Sequence, residues 1–318
     1  MYNNETYSPP IHLFYFKFEA PSHGSALYVV ILSTSVVVAM LSPLAVMTNG
    51  LILAAIWRNP SLRTPSYVLL AGLALTDLGT GLISQPIYVT NWLIYALQPG
   101  MSVVDNKLMF AISVMTFGST SLFSSFKLFI TTVMSIERLL HMSRRSLINV
   151  RRACFIVSAS LVFFAIPLTA FRVFQKTSQV ATPGTDVAGD LGLTFFIIAT
   201  SVAYFKVFRI IRCHQKQIRA NEMSENFAQP AINLTKYKKS VFSILYILVI
   251  LYMGYVLITI SSRISTVLMN ELVAVILNES SMFMFLSTSL NPLLYLWRMS
   301  DIRTEVKLLV KRVFRKGN

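Results

Sequence analysis

Charged residues are scarce in this sequence. They make up 13% of its 318 residues, where a soluble domain carries roughly a quarter. The shortage is uneven: long stretches hold almost no charge, and the charges gather between them. That pattern excludes an ordinary soluble fold, because it matches helices of about 20 apolar residues that cross a bilayer with every backbone group satisfied. Cysteine is scarcer still. Cys154 and Cys213 are the only two, both near helix ends expected at the cytoplasmic side. A disulfide framework is excluded, and reduced thiols are expected. Residues 1–25 lack a basic start leading to a short apolar run and a cleavage site. No removable signal peptide is expected, and the first apolar helix serves as the insertion signal. Internal repeats and low-complexity tracts are missing as well.

What is there is apolar, with 54% hydrophobic residues and a mean hydropathy of +0.62. Seven apolar segments follow one another: Ala26 to Trp57, Ser66 to Leu97, Asn106 to Leu140, Ala153 to Phe174, Val187 to Ile211, Lys239 to Val267 and Glu271 to Trp297. Turn-formers such as Asn59-Pro60, Pro99-Gly100, Pro183-Gly184 and Gln229-Pro230 separate several of them. From Asp301 to Phe314, Ile302, Val306, Leu309 and Val313 recur at helical spacing, with Arg303, Lys307, Lys311 and Arg312 elsewhere. That is a short amphipathic helix for a membrane surface. The fold class expected is an all-α integral membrane protein, a seven-transmembrane helix bundle with a C-terminal amphipathic surface helix. The expected organisation is an extracellular segment over residues 1–25, a membrane domain over 26–298, and a cytoplasmic helix and tail over 299–318.

The net charge of +15 invites a nucleic-acid reading, which the distribution rejects. With the N-terminus outside, most of the 28 Lys and Arg residues fall on the inner side, as the positive-inside rule requires. Asn4 then opens a glycosylation sequon on the correct face. Asn278-Glu279-Ser280 also matches but falls close to the bilayer. Asn233-Leu234-Thr235 is placed in the cytoplasm and stays unmodified.

Polar residues inside the membrane are costly and face the bundle interior. Counted from the cytoplasmic helix ends at about 1.5 Å per residue, Asn49, Asp77, Lys127 and Asn291 all lie roughly 10–16 Å deep. Four helices thus put polar groups in one layer, and the reading is a connected core in which Asp77 and Lys127 neutralise each other.

These residues carry a resemblance to the rhodopsin-like G protein-coupled receptors. It extends from Thr48-Asn49-Gly50 in the first segment, through Leu73-Ala74-Leu75-Thr76-Asp77 in the second, to Glu137-Arg138-Leu139 closing the third. It continues with Tyr204 in the fifth and Asn291-Pro292-Leu293-Leu294-Tyr295 in the seventh. The resemblance implies a receptor that passes the binding of an extracellular ligand to a heterotrimeric G protein, with the lipid bilayer as surroundings. It involves no nucleic acid, no enzymatic activity, no cofactor and no metal. It also implies that Arg138, beside Glu137, meets the G protein, that Tyr204 and Tyr295 move towards it on activation, and that Pro292 loosens the seventh helix.

Several features depart from the family. The usual disulfide between the third helix and the second outer loop cannot form. The fourth segment lacks its usual tryptophan and the fifth its usual proline. In the sixth, Tyr252 stands for the toggle tryptophan and Gly254 for the proline. Lys127 occupies the place of a serine that, in many relatives, helps hold a sodium ion beside the second-helix aspartate; its ammonium is expected to replace that ion. The stretch from Asn233 to Ser240, where relatives keep an acid that ties down the third-helix arginine, has no Asp or Glu. Glu137 is left to hold Arg138 locally.

The ligand is expected inside the bundle. Thr116, Thr120, Ser121 and Ser124 share the pocket side of the third helix, with Tyr252, Tyr255 and Asp190 opposite. Gln85, Asn91, Trp92 and Arg263 are further candidates. Thr120 stands where amine receptors keep an acid, which argues against a small cationic amine there. A photoreceptor is a further alternative, against which Phe285 stands, since it occupies the retinal lysine's position in the family and the seventh segment has no lysine. The alternative function is a transporter using Asp77 and Lys127 as an ion or proton relay; the missing repeats and broken helices weigh against it.

Overall fold

Why the helices begin where they do is visible at their caps. Ser25 accepts a hydrogen bond from the Tyr28 backbone N–H and opens α1 (Ala26–Arg58). Asn59 ends it and caps the short turn that leads to Pro65, the first residue of α2 (Pro65–Leu97). Proline suits that position because its missing N–H would have no intrahelical partner there. The chain continues through α3 (Lys107–Met142), α4 (Val150–Ser178), α5 (Pro183–Glu222), α6 (Tyr252–Ser261), α7 (Glu271–Arg298) and α8 (Ser300–Lys316). The computed structural model describes residues 24–97, 107–142, 148–178, 183–222 and 271–316, with shorter helical stretches between 249 and 264. Asn4, Asn233, Arg263 and the run from Asn233 to Ser240 lie outside the described residues.

The bundle is inverted relative to a soluble protein. Asn49, Asp77, Lys127 and Asn291 are buried, while Met40, Phe155, Phe163 and Phe195 stand exposed around the outside. Among the described residues, α1 and α2 are long and apolar enough to cross a membrane by length and composition. In α3 the hydroxyls and Lys127 dilute the apolar run. α5 runs past the expected end at Ile211 to Glu222, because helical hydrogen bonding is internal and continues once the chain turns polar.

α1 packs on α7 and α2, α3 on α2, α4 and α5, and α4 on α2. The inner half holds a core of Ile52, Leu69, Leu73, Phe126, Ile130 and Tyr295, which Ile302 and Val306 of α8 complete. Asn59 donates to Glu305 and Tyr67 to Asp301, fixing α8 beneath α1 and α2. A second core fills the outer half with Ile31, Val38, Tyr88, Trp92 and Phe285.

One local feature had no counterpart in the sequence reading. Residues Thr80–Ser84 form a π-helical turn inside α2, with the Gln85 N–H bonded to the Thr80 carbonyl. Pro86 follows one residue later, after Gln85. A proline inside a helix lacks its donor and crowds the carbonyl four residues back, and the wider turn accommodates that. Two glycines allow close approaches. A Cβ on Gly79 would sit 2.5 Å from the Phe123 ring of α3, and one on Gly254 would sit 3.1 Å from Met284 of α7. The residue in the sixth helix's proline position is therefore small because α7 lies against it.

Candidate functional site

Asp77 on α2, Lys127 on α3 and Asn291 on α7 meet at the centre of the bundle. Lys127 Nζ lies 2.9 Å from Asp77 Oδ1. It also donates to Ser287 Oγ and Thr288 Oγ1, each at 3.1 Å. An ammonium has three protons, and here three oxygens receive them. Asp77 Oδ2 accepts from Asn291 Nδ2 at 2.9 Å. Both charges are buried, with Asp77 fully enclosed and Lys127 4% exposed. A buried pair of this kind persists only when its remaining lone pairs and protons are satisfied, and the α7 hydroxyls supply that. Ser287 and Thr288 were missed in the sequence. Their signal was present, since they lie one helical turn before Asn291 on the same face.

Asn49 does not join this network. Its amide donates to the Ala45 carbonyl on its own helix, at 2.9 Å, and its Oδ1 has no partner. The layer that counting placed across four helices is thus a connected cluster across three.

At the C-terminal end of α3 the expected local hold of Glu137 on Arg138 is absent among the described residues. Glu137 is buried and accepts a hydrogen bond from Ser66 at the start of α2, at 2.9 Å. Consecutive residues on a helix point to different faces, so Glu137 turns inward while Arg138 does not follow. Among the described residues Arg138 has no ion pair, and its Nη1 is buried without a hydrogen-bond partner. Tyr204 of α5 and Pro292 and Tyr295 of α7 are buried.

The outer candidates separate. Thr116 bonds back to the Ile112 carbonyl of its own helix. Thr120 Oγ1 is buried without a partner, and Ser121 is half-buried. Ser124 lines a small cavity with Lys127 and Thr288, with room for about one water. Tyr255 packs with Leu128 of α3 and Ile197 of α5, whereas Tyr252 stays nearly half exposed. Asn91 accepts from Ser113 of α3 at 2.7 Å, and Trp92 joins the outer aromatic core. Gln85 is fully buried, with no partner for either amide atom. The side chain of Asp190 lies outside the described residues. The sequon at Asn278 is closed to modification: the residue is buried within α7 and takes a hydrogen bond from Tyr88.

A family model described as "7 transmembrane receptor (rhodopsin family)" matches residues 48–295. The chain belongs to the rhodopsin family of seven-transmembrane receptors. That span begins just before Asn49 and ends at Tyr295, so it encloses the whole polar cluster and Arg138. As a rhodopsin-family receptor the chain is a multi-pass protein of the plasma membrane, and its function is signal transduction. No individual curated protein matches it.

Proposed function

We propose that this receptor transmits the binding of an extracellular ligand to a cytoplasmic heterotrimeric G protein. Its N-terminus would be outside and α8 would lie on the inner membrane surface. The observation that carries the reading is the ion-paired cluster joining α2, α3 and α7 above an α3 arginine that has no ion pair among the described residues. A closed polar cluster of three helices can move only as a unit, and movement there changes what Arg138 presents at the cytoplasmic face. In this reading Arg138 is the coupling residue, Glu137 braces α3 on α2, and Tyr204, Pro292 and Tyr295 serve the switch. The ligand would lie above Lys127, among Thr120, Ser121, Ser124 and Tyr255, and Asn4 would carry a glycan. The exposed basic residues of α8, Arg303, Lys307, Lys311 and Arg315, follow one another at a spacing of four. They lie beside the buried Ile302 and Val306, which supports a helix lying along anionic lipid.

An arginine without a tether weakens the resting state. A missing link worth about 1 kcal/mol shifts a two-state equilibrium roughly fivefold. Ligand-free G protein turnover is therefore expected, and Lys236→Glu, which restores an acid to the base of the sixth helix, should lower it by about that factor. Turnover near zero in both proteins, at matched surface expression, would defeat this reading. Topology has its own test. An epitope placed before Met1 should bind antibody on intact cells, and one after Asn318 only after permeabilisation.

A further inference from the structure

Gly81 lies buried inside the π-helical turn of α2, and its own helix offers its carbonyl no donor. A plain α-helix would bond that carbonyl to the Gln85 N–H, and a π turn would bond it to an N–H at the next residue. Here the Gln85 N–H goes to the Thr80 carbonyl. The next residue is Pro86, which has no N–H. A buried carbonyl left without a donor at membrane depth is costly. The proton comes from another helix: Ser42 Oγ of α1 donates to the Gly81 carbonyl at 2.8 Å. Glycine lets α1 come that close. A Cβ on Gly81 would lie 3.1 Å from both Ala45 Cβ and Val46 Cγ2, and 3.3 Å from the Ser42 carbonyl.

How this turn is wound decides which side chains of outer α2 face the bundle. A π turn takes in one residue more than an α turn, so everything beyond it is rotated by about 100°. In the observed winding Asn91 accepts from Ser113 of α3 at 2.7 Å, and the Tyr88 hydroxyl reaches Asn278 of α7. Continued as a plain α-helix from the same inner half, α2 would bring Thr90, now exposed, to the place of Asn91 and Ile87 to that of Tyr88. That plain winding would give Gly81 the Gln85 N–H and need nothing from α1. The α1 hydroxyl therefore favours one winding over the other.

We propose that Ser42 is a positioning residue: its hydroxyl holds α2 in the π winding and so sets which α2 side chains face α3 and α7 in the outer half of the bundle. The proposal stands apart from the identity of any ligand and from G protein coupling.

The test reads the winding directly, with a short bifunctional thiol reagent on the full-length receptor carrying Cys154→Ser and Cys213→Ser. Asn91→Cys with Ser113→Cys should cross-link well, and Thr90→Cys with Ser113→Cys poorly. Adding Ser42→Ala should move the ratio of the two yields towards the Thr90→Cys pair by roughly fivefold, the weight of one hydrogen bond. Ser42→Thr keeps the hydroxyl and should leave the ratio where it was. A second measurement needs no new cysteines. Pro86→Ala supplies an N–H, so that Gly81 has a donor from its own helix in either winding. Ser42→Ala should therefore lower the melting temperature by a few degrees in the wild-type receptor and by clearly less in the Pro86→Ala background. An unchanged cross-link ratio in Ser42→Ala, or a ratio that Ser42→Thr shifts as far, would overturn the proposal. So would an equal loss of melting temperature with and without Pro86, which would make the Ser42 bond a plain tie between α1 and α2.

Discussion

The central ion-paired cluster and the outer half of this bundle treat buried polarity differently. In the cluster, Asp77 and Lys127 are each other's partners, and Asn291, Ser287 and Thr288 take up the remaining bonds. In the outer half, Gln85, Ser35, Ser84 and the Asn278 amide are buried with atoms unpaired, and Glu279 has one shared hydroxyl. Buried groups left unpaired cost stability, while completed networks hold an arrangement in place. The difference teaches a division of labour. The inner cluster is finished within the chain and ties three helices together. The outer half leaves several buried polar atoms unpaired among the described residues.

Breaking the cluster should have the largest effect. Lys127→Ala leaves Asp77 buried without its counter-charge, a loss of about 3–5 kcal/mol. Surface expression and melting temperature should fall sharply, and Asp77→Asn combined with Lys127→Ser should recover part of both. Unchanged expression in Lys127→Ala would show that the pair is not what stabilises the layer. The boundary between the cluster and the outer half comes next. Gly79→Ala puts a methyl group 2.5 Å from the Phe123 ring, and overpacking of this sort costs about 1–3 kcal/mol. Its melting temperature should fall while that of Gly50→Ala, where the space is open, stays close to wild type. The smallest effect should also have the opposite sign. Gln85→Leu removes an unpaired buried amide and should stabilise the unliganded receptor by about 1 kcal/mol, the low end of that penalty. A destabilised Gln85→Leu would mean that the outer half is already bonded and would erase the contrast.

Much of the fold was legible because hydropathy and helical period are local properties. Helix boundaries fell within a few residues of expectation except at the ends of α4 and α5; the expected ends of the sixth segment, Lys239 and Val267, lie outside the described residues. The π-helical turn was not legible: Gly79, Gly81 and Pro86 permit it, but they also permit a plain kink. Within the candidate site, the shared depth of Asp77, Lys127 and Asn291 could be counted from residue numbers. That Asn49 would stay on its own helix could not, because depth says nothing of the direction in which a side chain points. Glu137 and Arg138 teach the same lesson at the helix end. Adjacency in sequence suggested a pair, and helical geometry sent the two to different faces.

By itself, then, the sequence determined an all-helical membrane chain, its order of helices and the level of its polar groups, because each follows from composition and spacing along one helix. Tertiary structure alone decided which hydroxyls receive the Lys127 protons, that Ser66 rather than Arg138 binds Glu137, and that Glu279 faces Thr34. Those outcomes depend on how each helix is rotated against its neighbours, and rotation is set by packing between segments far apart in the chain.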